Sequence, residues 1–169
     1  MGVLRSVALL AAAGCASLVL PTEASVSKPS AQFASERFCL AQAIYFEARG
    51  EPAMGQMAVG QVIMNRTRNT HYPHTICGVV NQNANLFNRC QFSYRCDGKV
   101  DMITEWEPWQ QILRRSALIM ACNDECTNPD MPTGTLALST HYHDISVSPR
   151  WSRKYRRTGQ IGRHIFYQG

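Results

Sequence analysis

The sequence contains no Cys-x-x-Cys pair, no His-Glu-x-x-His motif and no internal repeat. The first absence argues against a structural zinc site, the second against the commonest helical zinc-hydrolase centre, and the third against a stacked-repeat architecture or a repeat-type binding module. No apolar run is long enough to cross a bilayer: Val7 to Leu20 falls short of the roughly 20 residues required. Charged residues make up 17% and hydrophobic residues 45%, a balance that builds a core and excludes disorder beyond the first few dozen positions. With 169 residues the chain has room for one compact domain and a leader.

The N-terminus has the grammar of an export signal. Arg5 precedes the apolar stretch Val7–Leu20, interrupted by Gly14, Cys15 and Ser17, and Pro21 to Ala24 end it with a small residue suited to cleavage. Residues 1–24 are therefore read as a signal peptide, 25–37 as a polar linker and 38–169 as the folded domain. Ala12-Ala13-Gly14-Cys15 also has the form of a lipidation box, which makes Cys15 a candidate lipid anchor. Against that reading, Ala12 stands where a larger aliphatic is usual and the apolar run continues through Leu20. Export implies a periplasmic or envelope-associated protein and an oxidising compartment. Cys39, Cys77, Cys90, Cys96, Cys122 and Cys126 then read as up to three disulfides, with fifteen connectivities open. Cys90 with Cys96 and Cys122 with Cys126 are close enough to staple short loops, which would leave Cys39 for Cys77.

The net charge is +5, and the leader contributes one base and one acid to it. Arg150, Arg153, Lys154, Arg156, Arg157 and Arg163 form a segment with no acid among them. Such a segment suits a polyanionic partner or is simply solvated.

Hydrophobic spacing predicts helices over Phe38–Ala48, Met54–Asn65 and Glu107–Cys122, and a short helical turn over Thr75–Asn81. Thr104 and Glu107 have capping-box spacing, with Pro108 in the first turn. Trp109, Ile112, Leu113, Ala117 and Met120 form the stripe of the last helix. Residues 82–101 read as a long irregular loop. The period then changes: Thr135 to His143 alternate as a strand, Ile161 to Tyr167 read as its partner, and the basic segment connects them. The fold class is α+β, a helical body followed by a small antiparallel sheet.

Leu40, Ile44, Glu47 and Glu51 share one helical face, and Gly50 and Pro52 leave Glu51 at or beyond the helix end. A carboxyl desolvated beside Tyr45, Phe46 and Ala48 should hold its proton and serve as a general acid. The competing reading is a structural ion pair with Arg49 or a C-terminal arginine.

The run Tyr45-Phe46-Glu47-Ala48-Arg49-Gly50-Glu51-Pro52, then Gly55-Gln56 and Val62-Ile63-Met64-Asn65-Arg66, closely resembles the signature of the SleB/CwlJ cell-wall hydrolases. The resemblance continues through Tyr72-Pro73, Ile76 to Val80, Cys90-Gln91-Phe92-Ser93, Cys96-Asp97-Gly98, Thr140-His141-Tyr142-His143, Ser148 to Trp151 and Ile161 to Tyr167. It implies a lysozyme-like fold with Glu47 as the catalytic carboxyl, and peptidoglycan glycan strands as the partner, with no nucleic acid. The implied reaction is lytic transglycosylation of the β-1,4 bond between N-acetylmuramic acid and N-acetylglucosamine. No cofactor or metal is implied, and the protein is expected to act as a monomer.

Around Glu47 a sugar site needs hydrogen-bonding groups and an aromatic platform. Gln91 and Ser93 are candidates to hold the N-acetyl group or orient the carboxyl, with His141, Tyr142, His143 and Trp151 as further substrate contacts. His141 and His143 project from one strand face and Tyr142 from the other, so the three share a wall only if the strand ends or twists there. Asp97 and Glu51 are the remaining candidates for a second carboxylate, one better explained as a turn residue and the other as structural. Two rival readings stay open. A zinc-dependent amidase would use His141 and His143 with His71, His74 or His164, and a non-catalytic wall-binding module would have an exposed polar face around Glu47.

Overall fold

A computed structural model describes residue 2 and residues 30–87, 89–122, 128–129 and 131–169. Four helices come first: α1 (Ala31–Ala48), α2 (Ala53–Thr67), α3 (Ile76–Val80) and α4 (Trp106–Ala121). Three strands follow, β1 (His141–Asp144), β2 (Arg156–Ile161) and β3 (His164–Gln168). They form one antiparallel sheet in the order β1-β3-β2. The expected α+β division holds.

Helix α1 begins at Ala31, ahead of the expected start at Phe38, because its polar first turns are anchored by side chains. Ser30 caps it by accepting from the Phe33 amide at 3.1 Å. The Glu36 carboxylate accepts from the Ile76 and Cys77 amides at the start of α3, and Arg37 donates to the Leu113 carbonyl of α4. The Cys39–Cys77 disulfide fixes the same junction. Leu40, Ile44 and Tyr45 then enter a core shared with Met57, Val59, Ile63, Ile112 and Ile119. Gly60 lets α2 and α4 approach beneath Ile44, since a Cβ there would overlap the Ile119 side chain.

The capping box expected at α4 does not form. Its cap position is Glu105, without a side-chain bond, because Thr104 turns instead to the buried Tyr45 hydroxyl, which also accepts from the Thr104 and Glu105 amides. The expected strand over Thr135–His143 is mostly not a strand. Gly134–Leu138 is a 3₁₀ turn, and pairing starts only at His141. The Asn65 side chain of α2 donates to the carbonyls of Ala137 and Ser139, both at 2.7 Å, and so takes up groups a strand ladder would need.

The basic segment is also more than a connection. Part of it is β2, an edge strand carrying Arg156 and Arg157, where charge discourages further pairing. Gly162, at φ +54°, turns β2 into β3. The Cys90–Cys96 bridge is present as expected. Cys122 is disulfide-bonded, while Cys126, its expected partner, lies outside the described residues, as do Cys15 and, apart from residue 2, the stretch 1–24 read as a signal peptide.

Candidate active site

Glu47 occupies the last turn of α1 and is half-buried. The Tyr142 hydroxyl donates to its Oε2 at 3.1 Å. Burial raises the Glu47 carboxyl above its ordinary value, with Tyr142 and the nearby Arg66 cation opposing that shift. Tyr142 is itself pushed well up by burial and by Glu47, so it remains a donor.

Two adjacent residues of α2 bring β1 to this position. Asn65 holds the 137–139 backbone as described, and the Arg66 Nε donates to the Thr140 carbonyl at 2.7 Å. Arg66 is only 3% exposed. Its guanidinium lies over the rings of Tyr72 and Phe92, 5.3 and 5.7 Å from their centroids.

A cavity of about 190 Å³ opens here, lined by Glu47, Arg66, Tyr142 and the loop residues Cys90, Gln91, Phe92 and Ser93. Phe92 is buried and anchors that loop, and the Cys90–Cys96 bridge and the Gln91 amide bond to the Gln82 carbonyl brace it. Gln91 and Ser93 are exposed. A second cavity, of about 350 Å³, lies on the other side of Glu47 and is lined by Phe46, Arg49, Glu51, Asp144, Arg163 and His164, among others. Four buried side-chain polar atoms lack a partner among the described residues: Arg66 Nη1, Gln82 Oε1, Tyr94 OH and His164 Nδ1. Arg66 and His164 line the two cavities, Tyr94 stacks on Phe46 at 4.6 Å, and Gln82 holds the loop. Unpaired buried groups are costly, and two of these four, on Arg66 and His164, belong to residues that line the cavities flanking Glu47.

The structure thus brings Gln91, Ser93 and Tyr142 into one cavity with Glu47, where Tyr142 engages the carboxyl itself. His141, His143 and Trp151 do not join them. The two histidines stand on the face of β1 opposite Tyr142, where His141 pairs with the Tyr72 hydroxyl at 3.2 Å and His143 with the Tyr167 hydroxyl at 3.0 Å. Trp151 packs against both imidazoles, Tyr155 and Tyr167. The pleat dictates this split, and no twist at the strand end cancels it.

The other carboxylates are committed elsewhere. Glu51 accepts from the Arg163 amide at 3.0 Å and packs so tightly that a Cβ on Gly162 would overlap it. Asp144, which the sequence reading passed over, pairs with Arg163 through two bonds of 2.9 Å and accepts from the Ser146 amide. Asp97 accepts from the Lys99 amide as a turn residue. Among the described residues no three His, Cys, Asp or Glu side chains gather as a metal site. His71 bonds Asn69 and His74 approaches the Thr67 carbonyl.

Arg66 is the main residue that sequence reasoning missed. An arginine ending an otherwise apolar helical run, directly after Asn65, was the available signal.

A family model described as Cell Wall Hydrolase matches residues 50–167, a stretch that starts just past Glu47. The chain is similar to the spore cortex-lytic enzymes of Bacillus subtilis and Halalkalibacterium halodurans, at 34% and 30% identity over 127 residues. These alignments cover 75% of this chain but 35% and 33% of the relatives. A Bacillus cereus spore cortex-lytic enzyme is 25% identical over 146 residues, 86% of this chain and 49% of that one. The chain therefore spans between a third and a half of the curated relatives it matches. Among solved structures, the catalytic domain of the Bacillus cereus SleB protein superposes with a TM-score of 0.58 at 24% identity, covering 87% of this chain and 100% of that one. The catalytic domain of the germination-specific lytic transglycosylase SleB from Bacillus anthracis gives 0.55 at 23% identity, over 83% and 97%. These two likenesses establish the fold.

Proposed function

The chain belongs to the cell wall hydrolase family, and from that membership we propose that it cleaves peptidoglycan glycan strands as a lytic transglycosylase with Glu47 as its single catalytic carboxyl. The observation that carries this reading is the contrast among the carboxylates of the two cavities. Glu51 and Asp144 are tied to Arg163, whereas Glu47 has, among the described residues, a single hydrogen bond, from a neutral tyrosine, and a raised tendency to hold its proton.

In the proposed reaction Glu47 gives its proton to the glycosidic oxygen between N-acetylmuramic acid and N-acetylglucosamine as the C1–O bond breaks. The C6 hydroxyl of the muramic residue attacks C1, and its proton passes to the Glu47 carboxylate. The 1,6-anhydro ring closes, Glu47 is restored, and no water is consumed. A retaining hydrolase would need a second free carboxylate about 5 Å away. Gln91 and Ser93 are proposed to hold the N-acetyl group, and Tyr142 to orient Glu47 between its two roles. The same reading assigns residues 1–24 to an export signal and activity to the cell envelope.

Mass spectrometry of digested peptidoglycan tests the reaction. Anhydro-muramic ends are expected, while reducing ends would indicate a muramidase and free stem peptides an amidase. Glu47→Gln should keep the fold and lose glycan cleavage by about 10³-fold. Near-normal activity in a folded Gln variant removes Glu47 from the mechanism.

A further inference from the structure

We infer that Arg66 is a positioning residue for catalysis, a buried cation set to stabilise the Glu47 carboxylate at the moment it gives up its proton; this rests on Glu47 being the acid. Arg66 comes from α2, next to the Asn65 that holds the 137–139 backbone, and lines the cavity beside Glu47 and Tyr142. Its Nε is spent on the Thr140 carbonyl, its planes are covered by Tyr72 and Phe92, and its Nη1 is buried without a partner. A guanidinium so enclosed is expensive while Glu47 is neutral. Tyr72 relieves part of that cost through a side-chain hydrogen bond, and a negative charge beside the guanidinium relieves more; the acid step creates that charge on Glu47. The interaction is therefore stronger in the transition state than in the resting enzyme, which is the condition for it to accelerate the reaction.

The other charged and titratable groups around Glu47 leave this role open. Tyr142 and Tyr94 are pushed up by burial and are neutral; His164 is pushed down by burial. On the far side, Asp144 and Arg163 neutralise each other, Glu51 is held by the Arg163 amide, and Arg49 pairs with Glu105.

The test is the pH–rate profile of Arg66→Gln and Arg66→Lys beside wild type and Glu47→Gln, with each fold checked by circular dichroism. Arg66 lowers the Glu47 pKa, so removing its charge raises that pKa, and the limb where activity falls with rising pH moves to higher pH. In Arg66→Gln kcat should drop roughly 10²-fold with that displacement, while Arg66→Lys should keep the limb in place and most of the rate. A folded Gln variant with an unmoved limb, or with wild-type kcat, overturns the inference. If Gln does not fold, Lys decides: folded but inactive overturns it, and an unmoved limb with retained rate supports it. An active Glu47→Gln variant would instead remove the acid assignment on which the inference stands.

Discussion

Tyr142 and its two neighbours in β1 are consecutive in the chain, yet the two sides of the strand are built on opposite terms. On the Tyr142 side lie two cavities, a carboxyl with a raised proton affinity, and buried nitrogen and oxygen atoms without partners. On the His141 side there is also a cavity, of about 310 Å³, lined by Asn69, His71, Tyr72, His141, Tyr155 and Gly169. Its polar groups are already paired with each other, Tyr72 to His141 and Asn69 to His71. A satisfied network rigidifies, whereas buried groups left unpaired carry a cost that a bound polar group relieves. Burial and aromatic content, which the two sides share, do not separate a site from a brace. Unspent hydrogen-bonding capacity does.

The sharpest way to break this contrast is to remove one hydroxyl. Tyr142→Phe deletes the only hydrogen bond to Glu47 among the described residues, and kcat should fall by about 10²-fold, with little change in melting temperature. The lost bond favoured the carboxylate, so the alkaline limb of the pH–rate profile should also move upward. Wild-type kinetics in this variant would erase the distinction between the faces.

On the other side Trp151→Ala should do the reverse. Losing a half-buried indole that touches four rings should cost about 2 kcal/mol in thermal or denaturant unfolding, with activity per folded molecule unchanged. A fall in kcat without a fall in stability would return Trp151 to the substrate site.

Smaller effects should appear in stability against pH, with opposite signs on the two faces. Glu47 has a folded-state pKa raised above 4.5, so its contribution is intact below 4.5 and is lost as pH rises through the folded value. Glu47→Gln should therefore melt higher than wild type at pH 8, with the gap closing toward pH 4. His141 is lowered by burial, and secondarily by Arg66, from 6.5 to about 4, so its contribution is intact above 6.5 and is lost as pH falls toward 4. His141→Gln should remove that part of the acid lability. Calorimetry across pH 4 to 8 reads both, and parallel slopes in the three proteins would contradict the contrast.

Much of this arrangement is legible in the sequence because it is local. The apolar face carrying Leu40, Ile44 and Glu47, the turn at Gly50 and Pro52, and the short helical turn after Thr75 all follow from spacing within a few residues. The loop bearing Gln91 and Ser93 could be singled out because Cys90 and Cys96 flank it. What escaped depends on partners far along the chain. The alternation of Thr135 to Thr140 looked like a strand, since nothing local reveals that Asn65 takes its carbonyls. β2 was hidden because an edge strand with Arg156 and Arg157 has one unpaired side and reads as a solvated loop. His141 and Trp151 drew attention as aromatic and imidazole groups, but only the register of β1 against β3 shows which wall they face.

The bond between Tyr142 and Glu47 joins residues 95 positions apart. Glu47 is fixed early in the chain by helices that pack on near neighbours, while Tyr142 depends on β1, which is held in the sheet by β3 at His164–Gln168. Contacts of long sequence separation close late, because the entropy of the intervening loop must be lost before they give anything back. The helical body can therefore assemble with Glu47 in place while Tyr142 is still absent, and the bond between them closes only as β1 docks on β3.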